Sequence, residues 1–302
     1  MEASDPIVYV DRYRRERLEE KVYGERWLRW TYETAPGAFL LESAVKRAVF
    51  SRFYGWWMSR PASRAKIRPF VSDYGLDESE FAEPVEAFPD FNAFFSRKLK
   101  PEARPLAGGD EVAVFPADGR HLVFPDLQKV DRVYAKGQSF SLTDLLGDDS
   151  LAERYSGGSL TISRLCPVDY HRFHFPCAGN AGEAKEIPGH LYSVNPYALR
   201  RRLSCLWRNR RFVTRLDSEH FGPVLYLEIG ATCVGSVVQT YPGGGAILRG
   251  QEKGCFRFGG SCIILLFRRG RIRFDDDLTG NSAEGLETYA RMGDRLGTVP
   301  VC

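Results

Sequence analysis

The sequence has 302 residues, 43% hydrophobic and 27% charged, which is the length and apolar fraction of a globular protein and excludes a disordered tail or a fibre. Its 42 Lys and Arg against 39 Asp and Glu leave +3, which argues against attachment to nucleic acid by bulk charge and confines any cationic contact to a local patch. The 7 cysteines show no C-x-x-C and no zinc-ribbon spacing, and read as reduced thiols.

At the N-terminus, Glu2, Asp5, Asp11, Arg12, Arg14 and Arg15 stand where a secretory signal has its apolar core. The longest notable apolar stretch, Cys262–Phe267, is far shorter than the roughly 20 residues of a spanning helix. The chain reads as neither secreted nor membrane-spanning. Residues 8–70 read as helical, with Leu28, Thr31, Tyr32 and then Val45, Val49, Phe53, Trp56 and Trp57 at three- and four-residue steps. Within 41–70, Lys46, Arg47, Arg52, Arg60, Arg64, Lys66 and Arg68 face one acid, Glu42. Cations interleaved with Phe50, Phe53, Tyr54, Trp56, Trp57 and Met58 fit an interfacial helix, and equally a helix packed on its own domain. An acidic, Pro-broken linker with Glu83, Pro84 and Pro89 leads to Phe91–Arg104.

From about residue 105 the texture changes to short β-rich runs between Gly, Pro and Asp: Glu111–Phe115, Ser159–Leu165, Val224–Ile229, Cys233–Tyr241 and Cys262–Phe267. The fold class read from this is α+β. A helical region of 1–104 precedes a β-rich, barrel- or sandwich-like catalytic core of 105–302. No internal repeat and no phosphate-binding glycine loop stands out, and Gly243–Gly245 reads as a turn.

Three segments concentrate reactive side chains: Phe115-Pro-Ala-Asp118-Gly119, Cys166-Pro-Val-Asp169-Tyr170-His171-Arg172-Phe173-His174, and Phe256-Arg-Phe-Gly259-Gly260-Ser261-Cys262. An Asp that orients a His that deprotonates a Ser is a general recipe for an activated hydroxyl, independent of chain order. Taken singly, each has a bland reading: a plain Asp-Gly turn, satisfied core histidines, a strand start. His171 and His174 without a third ligand are a weak metal signal, and no metal is expected. A backbone carbonyl at Gly260, which lacks a Cβ, is open to attack by the next hydroxyl, a geometry suited to self-cleavage.

These segments, with Phe91-Asn-Ala-Phe-Phe-Ser-Arg97-Lys98-Leu-Lys-Pro-Glu-Ala-Arg104-Pro105, Lys136-Gly137, Gly189-His-Leu-Tyr-Ser-Val-Asn195-Pro196, Glu228-Ile-Gly230-Ala-Thr-Cys-Val-Gly235-Ser and Glu252-Lys-Gly254, occur in one order along nearly the whole chain. In them the sequence resembles the phosphatidylserine decarboxylase proenzyme family. The resemblance implies a precursor that cuts itself between Gly260 and Ser261 into a β chain of 1–260 and an α chain of 261–302, with Ser261 becoming a covalent pyruvoyl cofactor. It implies decarboxylation of phosphatidylserine to phosphatidylethanolamine, the pyruvoyl ketone accepting the electrons released with CO₂ as pyridoxal phosphate does elsewhere.

Asp118, His174 and Ser261 map onto the self-cleavage triad, with His174 as base, and His171 onto the decarboxylation step. Because residues three apart face opposite sides of a strand, a shared pocket for both histidines places 169–174 at a bend. The implied partners are a phospholipid and a membrane surface, most simply the cytoplasmic face of the cell membrane, with no nucleic acid; a homodimer is compatible. Arg200–Arg202 and Arg208–Arg211 offer cations for a lipid phosphate or a solvated basic face. Cys262 departs from the Thr or Ser usual after the cleavage serine, which either slows processing or only fills core volume. The alternatives are a pyruvoyl decarboxylase for another serine lipid or a free amino acid such as tryptophan, a non-processing lipid-binding homologue, and a serine hydrolase; the last lacks a G-x-S-x-G elbow.

Overall fold

The computed structural model describes residues 6–22, 24–127, 140–231, 237–257 and 261–300. Gly260, Lys136-Gly137, Phe258 and the start of the expected strand Cys233–Tyr241 lie outside the described residues. The α+β reading agrees with the structure: helices near the N-terminus and an 11-stranded sheet.

At the centre of that sheet runs Ser261–Phe267, antiparallel to Gly222–Ile229 on one side and to Ser159–Leu165 on the other. Its seven residues are all buried. The reason is visible in the sequence: Cys262, Ile264 and Leu266 enter one hydrophobic cluster, while Ile263, Leu265 and Phe267 enter a second on the opposite face. A strand covered on both faces reads as a continuous apolar run rather than an alternation. Gly222–Ile229 behaves likewise, Leu225, Leu227 and Ile229 joining the first cluster and Val224 and Tyr226 the second.

The helical reading of 8–70 is corrected at its N-terminal end. Val8–Asp11 and Glu16–Glu19 are strands, the first parallel to Glu287–Ala290 and antiparallel to the second. Val-Tyr-Val favours the pleated surface. Asp11 then accepts the backbone N–H of Tyr13 and Arg14 at 2.9 and 3.0 Å, making a turn where a helix would need to continue. Helices begin at Glu25–Glu33, followed by Ala35–Leu40, Ala48–Met58, Ile67–Tyr74 and Phe91–Phe95. A third cluster, including Met58, Phe70, Phe88, Phe91, Phe94 and Phe95, holds the later helices together.

A small sheet of Val237–Gln239, Glu252–Phe256 and Arg172–His174 carries the histidine segment. Another, of Val112–Val114, Arg273–Phe274 and Arg295–Thr298, lies beside the Asp118 turn. Gly119 is required where it stands, since a Cβ there would lie 2.6 Å from the Arg164 carbonyl oxygen on the neighbouring strand. Leu265→Ala, in the two-sided central strand, is expected to lower stability by about 3 kcal/mol. Urea unfolding monitored by tryptophan fluorescence checks this; a loss below about 1 kcal/mol would mean the central strand is not the packed element described.

Candidate active site

Strand pairing brings the site together. Ser261 opens the central strand opposite Leu165, the last residue of its neighbour. From Leu165 the chain makes a turn through Pro167 and Val168 to Asp169 and returns as Arg172–His174. His171 therefore lies over the head of the Ser261 strand, its Nδ1 3.4 Å from Ser261 Oγ. Both residues are fully buried.

The other imidazole nitrogen settles the tautomer. Nε2 lies 2.8 Å from the Cys166 carbonyl oxygen, which only accepts, so in the neutral ring the proton resides on Nε2 and Nδ1 faces Ser261 with its lone pair. Burial, reinforced by the Arg97 guanidinium, pushes the His171 pKa down to about 3, against the Cys166 and Pro167 carbonyls that oppose it. The Phe95 ring stacks on the imidazole at 3.8 Å between centroids, 20° between planes. His171 is thus a desolvated free base at neutral pH, aimed at a hydroxyl.

The other two expected residues, Asp118 and His174, make different contacts. Asp118 is almost fully buried, and Arg104 grips it through Nε at 2.9 and 3.1 Å and Nη2 at 2.6 Å, while the Met292 N–H donates at 2.8 Å. Among the described residues, no hydrogen bond joins Asp118 to either histidine, or His174 to Ser261. The His174 backbone N–H donates to the Pro116 carbonyl at 2.8 Å, and its ring packs near Tyr170. Its Nδ1 is buried with no hydrogen-bond partner among the described residues, beside a pocket of about 430 Å³ lined also by Lys98, Arg104, Tyr170 and Glu252. Burial lowers the His174 pKa to about 4, opposed by the charges of Glu252 and Asp118. The turn falls at 167–169, at the start of the expected bend over 169–174, and the chain is extended at 172–174; His171 Nδ1 faces Ser261 while His174 lines the smaller pocket.

A larger cavity of about 1040 Å³ has Trp27, Leu28, Leu40 and Tyr54 on its wall, and its lining includes Leu165, which pairs with Ser261, and Cys166, whose carbonyl meets His171. Cys262 points away from His171 into the Leu and Ile cluster, fully buried, and burial raises its thiol pKa, so it is a core filler and inert. Sequence reasoning did not single out Phe95, the Cys166 carbonyl or Arg104 as site groups. Their only signal was membership in the motifs around them. Among the described residues no cluster of three or more His, Cys, Asp or Glu is placed to hold a metal.

The family model described as phosphatidylserine decarboxylase matches residues 91–298. A phosphatidylserine decarboxylase proenzyme of Chlamydia pneumoniae is 45% identical over 289 residues, covering 96% of each chain. That of Chlamydia muridarum is 46% identical over 294 residues, 97% of this chain and 98% of the relative. That of Clostridium botulinum is 41% identical over 292 residues, 97% and 99%.

Three buried histidines make the fold acid-sensitive. His121 and His171 are held down to about 3 and His174 to about 4, in each case chiefly by burial. The unfolded chain takes up these protons near pH 6.5, so below that it binds more protons than the folded chain and stability falls as pH drops toward 4. Between pH 7 and 5.5 the loss is expected to be about 1 kcal/mol per histidine. Urea midpoints of the protein and of His121→Gln check this, the variant losing about one third less.

Proposed function

The chain belongs to the phosphatidylserine decarboxylase family, and from that premise we propose that it converts phosphatidylserine to phosphatidylethanolamine and CO₂ after cutting itself between Gly260 and Ser261. The observation that carries the reading is the contact of Ser261 Oγ with a His171 Nδ1 kept free of its proton. A free imidazole within reach of a buried hydroxyl is the arrangement of an activated nucleophile.

In the proposed cut, His171 takes the Ser261 hydroxyl proton as Oγ bonds to the Gly260 carbonyl carbon. The C–N bond breaks, the proton passes to the Ser261 nitrogen, and an ester joins the two segments. Removal of the Ser261 Cα proton then expels the Gly260 carboxylate, and hydrolysis of the resulting dehydroalanine releases ammonia and leaves a ketone at 261. A pyruvoyl group fits this position: residue 261 heads a strand held on both sides, in a water-poor site, with the His171 ring against it and Cys262 turned away. When formed, that group supplies the electron sink for decarboxylation of an amine-bearing acid. The role of His171 is then to hold or move a proton at residue 261.

The family resemblance assigns the cut to Asp118 and His174, with His171 in the second step. The described geometry favours His171 in both, since Asp118 is occupied by Arg104 and Met292 and His174 faces the smaller pocket. His171→Ala is expected to slow appearance of the 261–302 chain by roughly a hundredfold or more. Intact-mass analysis reads this, with Ser261→Ala as the uncut reference; His174→Ala should cost less than about tenfold. The reverse ranking would return the base role to His174.

The large cavity supports a lipid substrate, its apolar wall being formed by the helices that also expose Phe39, Val49, Phe53, Trp56 and Trp57. A free amino acid would use none of that wall. Arg60 stands over the Trp56 ring at 3.9 Å and Lys66 near Trp57 at 5.0 Å, so cations border the exposed rings as an anionic interface requires. Among the described residues no helix is long and apolar enough to cross a membrane. We place this face of residues 1–104 on the membrane surface, peripherally and on the cytoplasmic side. Phe53→Ser/Trp56→Ser/Trp57→Ser is expected to weaken co-sedimentation with anionic phospholipid vesicles at least tenfold while self-cleavage proceeds. Unchanged sedimentation would sink this placement.

A further inference from the structure

The usefulness of His171 depends on which nitrogen carries its proton, and that is decided by the Cys166 carbonyl. This carbonyl is held by a closed turn. The Asp169 N–H donates to Cys166 O at 2.9 Å, and the Cys166 N–H donates to Asp169 Oδ2 at 2.6 Å, so the two residues satisfy each other through backbone and side chain. Without that second bond, a Cys-Pro-Val-Asp turn is tied at only one of these two points.

The carboxylate is fixed from its other side. Arg120 Nη1, on the strand Gly119–Phe124, lies 2.6 Å from Asp169 Oδ1 and 2.5 Å from Oδ2. The Arg120 guanidinium lies over the adjacent rings of Tyr9 and Tyr289, at 5.0 and 5.1 Å from their centroids, and its Nε is 3.5 Å from Glu20. Glu20 is in turn held by Arg164 Nη2 at 2.5 Å. All four charged groups are buried, so the carboxylate has little freedom to move.

We infer that Asp169 is the positioning residue of the site: by accepting from the Cys166 N–H it fixes the Cys166 carbonyl and so holds His171 as the Nε2–H tautomer with Nδ1 turned to residue 261. Asp169 does not touch the reacting atoms. The inference rests on His171 acting at residue 261, and it adds a determinant outside the Asp-His-Ser set. The requirement is for an acceptor at 169 facing the Cys166 N–H; the negative charge serves to satisfy Arg120.

Two double variants separate these needs. Arg120→Met/Asp169→Asn removes the ion pair and keeps a carbonyl acceptor at 169, whereas Arg120→Met/Asp169→Leu removes both. In the Ser261→Ala precursor with ¹⁵N-labelled histidine, the resonances lost in His171→Gln identify the ring, and its two nitrogen shifts report the tautomer. The expected result is a single Nε2–H form in the parent and the Asn double, and a mixture in the Leu double. With Ser261 restored, the Asn double should cut within about threefold of the parent and the Leu double at least tenfold more slowly.

Equal cutting by the two doubles, a single Nε2–H form in the Leu double, or an Nδ1–H form in the parent would each overturn the inference. A merely structural ion pair would affect both doubles alike. If the Leu double does not fold, Arg120→Met/Asp169→Ala takes its place with the same expectations, and the parent tautomer remains decisive by itself. Should His171→Ala cut at the parental rate, the role given to His171 fails, and the tautomer comparison still judges the placement by Asp169 separately.

Discussion

The two-sided burial of the strand Ser261–Phe267 is the constraint on which the other arrangements depend. A strand with apolar side chains in both clusters and partners on both edges has one register available, because a slip of one residue would exchange the faces and a slip of two would strand Ser261 beyond Leu165. The serine is therefore delivered to a fixed point at the head of the strand. The same pairing means that a break before Ser261 leaves the 261–302 segment bound. Ser261–Phe267, Glu287–Ala290 and Arg295–Thr298 each pair with strands from the longer segment. Separation of the pieces would require dismantling the sheet.

Against that fixed strand, buried charge holds the histidine segment in place. Lys253, at a bulge in the small sheet beside His174, donates to Glu228 on Gly222–Ile229, and Gln239 closes the group by accepting from Lys253 at 2.9 Å and donating to Glu228 at 3.3 Å. Burial raises the Glu228 pKa and lowers that of Lys253, and the mutual attraction opposes both. A second network joins Asp169, Arg120, Glu20, Arg164 and Glu287. Burial raises the Glu20 carboxyl pKa, yet Arg164 and Arg120 outweigh it and hold the group down to about 2. Such networks are poor sources of net stability, since desolvation offsets much of the Coulomb gain, but removing one member leaves a costly lone charge. Their consequence here is positional: strands distant in sequence are held at set separations around His171.

How far the sequence exposes this depends on the physical origin of each feature. Ser159–Leu165 and Cys262–Phe267 are legible because two-sided burial writes itself as an apolar run, and the observed strands coincide with or extend them by one residue. Val8–Asp11 is not, since a four-residue strand flanked by charges resembles helical spacing, and its pairing with Glu287–Ala290 is a contact across almost the whole chain. The reactive residue types are legible in their motifs. Which histidine meets Ser261 is not, because that follows from where the 166–169 turn ends and where extended backbone resumes. The capture of Asp118 by Arg104 and the tautomer imposed by Cys166 are likewise facts of three dimensions. Cys262 is decided by strand parity: Ser261 faces the histidine, so its neighbour must face the core.

In the proposed self-cleavage, the ester between Ser261 and the preceding segment has two fates. Attack by water returns a serine and ends the chemistry, while elimination across Ser261 leads to the ketone. The structure weights this competition through exclusion of solvent: Ser261 and His171 are both at 0% exposure, and the Phe95 ring covers the imidazole. Water has to be scarce while the ester exists and available afterwards for release of ammonia, so a site sealed by side chains rather than by backbone is favoured. Phe95 belongs to the aromatic cluster that includes Met58, at the end of the helix Ala48–Met58 whose outer face exposes Phe53, Trp56 and Trp57. The cover over the reacting hydroxyl and the surface assigned to the lipid interface are thus parts of one packed unit, as suits an enzyme that must be dry while it matures and open to a lipid afterwards.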